Sequence, residues 1–264
     1  MGRFIFAAFA GLVRRLPRKA ALRLGAAIGS FLYSIAELTK YRGAIRMAEF
    51  PALYKKGLLA VDGLEHLAKA KEEGKGVIVL SAHMGNYELL LAFMGYLGYP
   101  MHIIGVKQST DWFNEFIVGA RELFGCKMLY HKEVTSAQVG EILARNEIVC
   151  LVADHHNYGG KARNIVNFFG KPVSVPAGPI AFSTRFGAQL VPAYTIREPG
   201  GRHRIIIEPP LQLIETGDAA ADFQANCELY YQVYERWITQ HPDQWMWSHE
   251  RWAWLDENLQ PKFA

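Results

Sequence analysis

The chain has 264 residues, half of them hydrophobic, so it can bury a sizeable core in one large domain or two small ones. Its 29 Lys and Arg residues exceed its 25 Asp and Glu residues by four, since 29 − 25 = 4. That excess is too small to indicate nucleic-acid binding, but it suits an anionic membrane or a phosphorylated substrate. Cys126, Cys150 and Cys227 lie far apart without a CxxC pair, which predicts buried, reduced thiols and neither a disulfide framework nor a zinc site.

The first 56 residues are strongly basic, with Glu37 and Glu49 as their only acidic residues. Two apolar stretches, 4–13 and 24–36, flank a break rich in Arg and Lys. Both are shorter than the ~18 uninterrupted apolar residues typical of a membrane-spanning helix. We therefore predict amphipathic helices in a membrane interface, within an N-terminal segment 1–56 that precedes a folded domain at 57–264. Ordinary core helices are the alternative for the two stretches.

From Gly74 onward, buried apolar runs alternate with helical periodicity, and Gly and Pro mark the boundaries. The pattern predicts strands at 77–80, 101–106, 127–130, 148–153, 189–196 and 203–208. It predicts helices that begin near Asn86, Thr110, Val134, Pro176 and Asp218, and a loop rich in Gly and Asn over 154–175. This alternation predicts a single α/β domain with a mostly parallel sheet flanked by helices, with room for an antiparallel edge.

His83 and Glu88 are the leading candidates for chemistry. His83 follows the first predicted strand directly, at the end where open α/β sheets place their active sites. Gly85 and Asn86 allow the chain to turn, so that Glu88 falls in the first turn of the next helix. A carboxylate bound to one imidazole nitrogen fixes the tautomer and leaves the other nitrogen to take a proton from a hydroxyl. The segment predicts such a pair, which would make an alcohol nucleophilic towards a thioester; a structural histidine is the alternative.

The segment 80–89 resembles the H-x4-E catalytic box of the bacterial lipid A biosynthesis acyltransferases, the late lauroyl and myristoyl transferases and their relatives. The resemblance continues in order over residues 60–252. It is carried by Gly63-Leu64-Glu65-His66-Leu67, Arg121 with Gly125, Val152-Ala153-Asp154, Phe168-Phe169-Gly170, Pro176-Ala177-Gly178-Pro179, Arg185-Phe186-Gly187-Ala188 and the segment 241–249. Each piece is short, and the ordered set makes the match specific.

The resemblance implies a glycerolipid acyltransferase-like fold for 57–264. It implies transfer of a fatty acyl group from a thioester, on acyl carrier protein or CoA, to a hydroxyl of a lipid acceptor such as a lipid A precursor. No cofactor, metal or nucleic acid is implied. The expected location is the cytoplasmic face of the bacterial inner membrane, where the N-terminal segment would attach the protein to the membrane surface. A glycerophospholipid, another glycolipid or an aminolipid is the alternative acceptor.

Roles are carried over by position. The resemblance makes His83 the general base and Glu88 its orienting partner. Arg121 is expected to contact a phosphate or a developing negative charge, because its guanidinium offers forked donors; a structural salt bridge on a helix is the alternative. Asp154 is expected to hold Arg121 or to shape the site, with a purely structural role as the alternative. The predicted substrate-binding residues are Arg121, Asp154, Asn86 and Gly85.

Three departures from the family pattern bear on the acceptor more than on the reaction. The stretch between Pro51 and Gly63 is shorter than the family's helical region, His155 stands where Gln is common, and Glu250 replaces a basic residue.

Three rival interpretations remain. The segment 154–156 also resembles the metal-binding box of the DHH phosphoesterases, although no Asp-rich companion motif lies upstream. The glycerolipid acyltransferases with an H-x4-D box share the chemistry but carry a downstream Glu-Gly-Thr-Arg type loop that this sequence lacks. The non-enzyme alternative is a catalytically idle membrane-binding protein.

Overall fold

The computed structural model describes residues 50–108, 110–155, 164–248 and 251–252. These residues all belong to one compact unit, Arg46–Ala264. The predicted N-terminal membrane helices fall within 1–49 and so lie outside the described residues. Within the described ranges, no helix is long and apolar enough to cross a membrane.

Nine strands and seven α-helices are described within these ranges. The helices are α1 (Phe50–Lys55), α2 (Leu64–Glu72), α3 (Glu88–Tyr96), α4 (Asp111–Glu122), α5 (Ser136–Ala144), α6 (Gly178–Phe186) and α7 (Ala219–Gln240). The strands are β1 (Leu59–Asp62), β2 (Val77–Ser81), β3 (Met101–Gly105), β4 (Cys126–Tyr130), β5 (Ile148–Val152), β6 (Ile165–Phe168), β7 (Lys171–Ser174), β8 (Gln189–Glu198) and β9 (Arg202–Ile207).

The central sheet has seven strands in the order β1-β9-β8-β2-β5-β3-β4. Pairing is parallel throughout except between β8 and β9, which form an antiparallel hairpin, so β1 and β9 run opposite to the other strands. The predicted α/β fold with a mostly parallel sheet flanked by helices is confirmed. The antiparallel pair lies towards one edge.

Strand β2 lies at the centre of the sheet and is buried along its whole length. Ile78 and Leu80 face a core that includes the aromatic residues of α7, and Val77 and Val79 face a second core that includes α3. A parallel strand covered on both faces reads as a continuous apolar run, which explains the absence of polar alternation in this segment. The two cores hold the carboxyl end of β2 at a fixed place between two helical layers.

Three local features differ from the predictions. Strand β1 was not predicted, and the predicted loop at 154–175 contains the antiparallel hairpin β6–β7. Helix α3 begins at Glu88 after Tyr87, with no side-chain cap, so Asn86 does not cap it. Helix α6, by contrast, begins close to the predicted Pro176 and ends at Phe186, and the next residue, Gly187, adopts a left-handed conformation with φ of 65°.

Helix α1 includes the last residues of the predicted N-terminal segment. Phe50 is fully buried, and its ring contacts Phe93 and Tyr96 of α3 and Phe124, with centroid separations of 6.1, 5.3 and 5.9 Å. This end of the segment 1–56 therefore packs against the α/β body.

Candidate active site

The register of the central sheet places His83 beside Asp154. In the parallel pair β2–β5, Ser81 lies opposite Val152. Both chains continue past the sheet, where the N–H of Ala153 donates to the carbonyl of Ser81 over 3.1 Å. His83 and Asp154 each stand two residues beyond the last pair, at the edge where parallel sheets gather functional side chains.

Asp154 is the carboxylate that contacts the imidazole of His83. Its Oδ1 lies 2.8 Å from Nδ1 of His83, and its Oδ2 accepts from the backbone N–H of His83 over 3.1 Å. The indole Nε1 of Trp245 donates to Oδ2 over 2.8 Å. The carboxylate is thus held by a ring nitrogen, a backbone amide and an indole, and it is fully buried.

Asp154 is ionised despite its burial. Burial raises the pKa of a carboxyl, but the neighbouring His83 and His155 and the hydrogen bonds from His83 and Trp245 outweigh it, so the pKa of Asp154 lies below its usual range. The imidazole of His83, by contrast, is 21% exposed. The pair therefore consists of a buried anion and a ring that reaches the surface of the site.

Glu88 is hydrogen-bonded to Arg121 and not to His83. The predicted partner of His83 was therefore wrong, since Asp154 takes the place that Glu88 was expected to occupy. Nε of Arg121 donates to Oε2 of Glu88 over 3.0 Å, and Nη2 donates to Oε1 over 2.6 Å. Both side chains are buried, and Nη1 of Arg121 lies 3.1 Å from Sδ of Met128. Glu88, the first residue of α3, thus pairs with the guanidinium of Arg121 on α4. The carboxylate that contacts the imidazole of His83 comes instead from Asp154, which follows β5.

The bidentate contact accounts for the charge state of Arg121. Burial lowers the pKa of a guanidinium, but the adjacent Glu88 more than offsets this, so the pKa of Arg121 lies above its usual range. Its Nε and Nη2 donors, which were expected to face a substrate, are directed at Glu88 instead. Asp154, which was expected to hold Arg121, holds His83.

Gly85 and Asn86 form the turn between β2 and α3, and their backbone amides bind within the protein. The N–H of Gly85 donates to the carbonyl of Gln244 over 2.9 Å, and the N–H of Asn86 donates to Oγ1 of Thr195 over 3.0 Å. Gly85 has φ of 57°, and a Cβ there would lie 2.2 Å from the carbonyl oxygen of Thr195. A glycine is required at this position because both the backbone conformation and the space exclude a side chain.

His155 stacks on His83, with ring centroids 3.9 Å apart and planes within 2° of parallel. His83, Asp154 and His155 also offer ligand atoms within 4.8 Å of one another. An ion bound in the plane of one imidazole would, however, lie well out of the plane of the parallel ring, whereas metal ligation requires both lone pairs to point at the ion. The geometry favours a stacked pair over the metal site considered from the sequence.

The structure thus gathers His83 and Asp154 into one pair and Glu88 and Arg121 into another. Sequence reasoning missed Trp245, although the aromatic segment 241–249 had been noted as part of the resemblance. An indole has a single hydrogen-bond donor, and its target here depends on how the C-terminal segment folds back over the sheet.

The fold and the site together define an α/β protein with a histidine–carboxylate pair at the carboxyl edge of a mostly parallel sheet. A family model described as bacterial lipid A biosynthesis acyltransferase matches residues 43–253. The chain belongs to this family.

Curated proteins with similar sequences are also acyltransferases, at low sequence identity. A phosphatidylinositol mannoside acyltransferase from Mycobacterium tuberculosis is 25% identical over 195 residues, which cover 73% of this chain and 59% of the relative. The lipid A biosynthesis lauroyltransferase of Escherichia coli is 24% identical over 207 residues, which cover 77% of this chain and 64% of the relative. The matched region therefore spans about three-fifths of the length of these relatives.

Among solved structures, the 1-acyl-sn-glycerophosphate acyltransferase PlsC from Thermotoga maritima aligns with a TM-score of 0.40 and 13% identity. That alignment covers 83% of this chain and 90% of the other.

Proposed function

We propose that this protein transfers a fatty acyl group from a thioester to a hydroxyl of a membrane lipid. The observation that carries the proposal is the His83–Asp154 pair, with its 2.8 Å contact at the carboxyl edge of the sheet, in a chain that belongs to an acyltransferase family. A partly exposed imidazole backed by a buried carboxylate is the arrangement that activates a hydroxyl nucleophile.

The pair divides the work between its two members. Asp154 accepts a hydrogen bond from the N–H at Nδ1 of His83, which fixes the tautomer and leaves Nε2 to act as the base. Nε2 takes the proton of the acceptor hydroxyl while the hydroxyl oxygen attacks the thioester carbonyl carbon. The carbon–sulfur bond then breaks, and the imidazolium returns its proton to the departing thiolate. Asp154 stabilises the imidazolium between these steps.

Glu88 and Arg121 serve the reaction indirectly in this proposal. Glu88 opens α3, directly after the turn that carries His83, and its bidentate contact with Arg121 joins α3 to α4. Arg121 is only 8% exposed, so its guanidinium suits the anchoring of this turn better than the binding of a lipid phosphate. We therefore assign the Glu88–Arg121 pair a supporting role.

The acceptor and the donor are proposed from the relatives. The E. coli relative is a lipid A biosynthesis lauroyltransferase, and the M. tuberculosis relative is a phosphatidylinositol mannoside acyltransferase. We propose a lipid A precursor as the acceptor and acyl carrier protein or CoA as the donor carrier. A phosphatidylinositol mannoside or a glycerophospholipid is the second candidate acceptor.

The proposed place of reaction is the cytoplasmic face of the inner membrane. The basic and apolar segment 1–36 supports it, because such segments bind anionic lipid surfaces. Deletion of 1–36 should release the protein from anionic vesicles or leave binding that is lost at high salt. A truncated protein that sediments with vesicles at high salt as fully as the intact chain would contradict this part of the proposal.

The experiment uses the full chain in detergent micelles with acyl carrier protein and CoA thioesters. Each donor is offered with a lipid A precursor, a phosphatidylinositol mannoside or a lysophospholipid, and mass spectrometry detects the mass gain of one acyl group. His83→Ala should abolish the product, while His66→Ala, a histidine on α2 away from the site, should not. If no acceptor gains an acyl group, the proposed function is wrong. If His83→Ala matches the intact protein, the assignment of the reaction to His83 is wrong.

A further inference from the structure

The segment after α7, residues 244–248, folds back over the turn that carries His83. The carbonyl of Gln244 accepts from the N–H of Gly85 over 2.9 Å, and the N–H of Met246 donates to the carbonyl of His83 over 3.1 Å. Between these contacts, Met84 and Trp245 form an isolated antiparallel bridge. The backbone of this segment therefore binds the chain on both sides of Met84, the residue directly after His83.

The side chain of Trp245 reaches the other member of the pair. Its Nε1 donates to Oδ2 of Asp154 over 2.8 Å, while Oδ1 of the same carboxylate contacts His83. Trp245 is only 4% exposed, and its ring contacts that of Phe168 in a T-shaped arrangement with the ring centroids 6.0 Å apart. A carboxylate whose two oxygens are bound by partners on different segments cannot rotate away from the imidazole.

Arg251 fixes the backbone at the same carboxylate residue. Its Nε donates to the carbonyl of Asp154 over 3.0 Å, and its Nη2 donates to the carbonyl of Ser174 over 2.8 Å and to the hydroxyl of Tyr231 over 2.6 Å. Arg251 is 1% exposed. Side chain and backbone of Asp154 are thus both held from the C-terminal segment, which is remote in sequence from β5.

We infer that Trp245 is a positioning residue of the reaction, which sets the orientation of the Asp154 carboxylate against His83 through its indole N–H. Arg251 acts on the same residue through its main-chain carbonyl. The inference rests on the proposed function for its kinetic consequence, but its structural consequence can be measured without any substrate. It gives the C-terminal aromatic segment a function in the chemistry beyond packing.

The substrate-free test is proton–nitrogen NMR of the histidine side chains in the full, labelled chain. The Nδ1 proton of His83, hydrogen-bonded to Asp154, is assigned by its absence in His83→Ala. Trp245→Phe should shift this signal or broaden it through exchange with water. Trp252→Phe is the matched control, because Trp252 lies 6.1 Å from Trp245 in the same aromatic cluster but donates to the carbonyl of Phe168.

The kinetic test separates positioning from binding and from stability. Trp245→Phe should lower kcat roughly tenfold with KM within about twofold, because a hydrogen bond to a charged group is lost while the acceptor and donor surfaces stay in place. Trp252→Phe should leave kcat within about twofold. Replacement of Trp245 by 3-benzothienylalanine, in which sulfur replaces the N–H in a ring of nearly the same shape, gives the same test if the phenylalanine variant does not fold.

The outcomes are distinct. An unchanged His83 signal, or an unchanged kcat, in a folded protein without the Trp245 N–H would overturn the positioning role. An intact protein without acyl transfer would refute the proposed function, while the NMR comparison would still decide whether Trp245 orients the pair.

Discussion

Replacing Glu88 with alanine leaves the buried guanidinium of Arg121 without its carboxylate. The two side chains are 7% and 8% exposed and share two hydrogen bonds, of 3.0 and 2.6 Å. Breaking a buried pair by removing one partner costs about 3–5 kcal/mol, because the remaining charge stays desolvated. We expect Glu88→Ala to lower the free energy of unfolding by that amount.

The assay is urea unfolding of the full chain in detergent, followed by tryptophan fluorescence and circular dichroism. Glu65→Ala is the matched control, since the side chain of Glu65 is 76% exposed and its removal should cost less than about 0.5 kcal/mol. Removing both charges, in Glu88→Leu with Arg121→Met, should cost less than Glu88→Ala alone, because no unpaired charge remains.

The same series distinguishes the two roles considered for Glu88. If Glu88 oriented His83, Glu88→Ala would reduce acyl transfer while the stability stayed close to that of the intact protein. A loss of less than about 1 kcal/mol, far below the cost of an unpaired buried charge, would refute the reasoning from the Glu88–Arg121 pair.

Two further predictions concern the turn and the opposite edge of the sheet. Gly85→Ala should lower the stability by about 1–3 kcal/mol through backbone strain, and by more through the clash with Thr195. Gly98→Ala is the control, because Gly98 has φ of 78° but a Cβ there would have no atom within 4 Å, so only the strain should appear. Equal losses of stability in thermal unfolding would contradict the clash at Gly85. Hydrogen bonds from Arg145 and His102 lower the pKa of Glu147 from 4.5 to about 2, because together they outweigh the opposing effect of burial. A carboxyl whose pKa is lowered on folding contributes stability that is fully present above the pKa of the unfolded state and is lost as pH falls through the pKa of the folded state. Glu147→Gln should therefore flatten the decline in stability from pH 4.5 to about 2. An unchanged slope would contradict the lowered pKa of Glu147.

The sheet was predictable from the sequence because its central strands are buried on both faces. The runs at 77–80 and 148–153 contain only apolar residues, and each is followed by polar residues at the carboxyl end. The hairpin β6–β7 was missed because its sequence lacks the usual signals of a strand and a tight turn. It contains Pro172, which is unusual within a strand, and its turn places Phe169 at φ of 49°, a conformation that a bulky residue rarely adopts.

The partner of His83 could not be taken from local spacing. Glu88 is five residues away in the chain and begins the next helix, so it was the nearest carboxylate in sequence. Asp154 is 71 residues away and becomes the neighbour only because β5 pairs with β2 in a register that sets Ser81 opposite Val152. The strand order of a parallel sheet depends on contacts between segments far apart in the chain. Without that order, the sequence does not decide between Glu88 and Asp154 as the partner of His83.

If His83 and Asp154 act as one unit in acyl transfer, the rates of His83→Ala, Asp154→Asn and the double variant will show it. Loss of the general base should lower kcat by about 10²–10⁴-fold. Asp154→Asn should lower it by a comparable factor, because an amide neither fixes the tautomer nor stabilises the imidazolium.

The double variant should be hardly slower than His83→Ala, since a carboxylate that works through the imidazole has no effect once the imidazole is gone. Each protein is assayed with the acyl thioester and acceptor on which the intact chain is active, with circular dichroism as the folding control. We expect this non-additivity. A folded His83→Ala protein with more than about a tenth of the normal rate, or a double variant whose loss is the product of the two single losses, would contradict it.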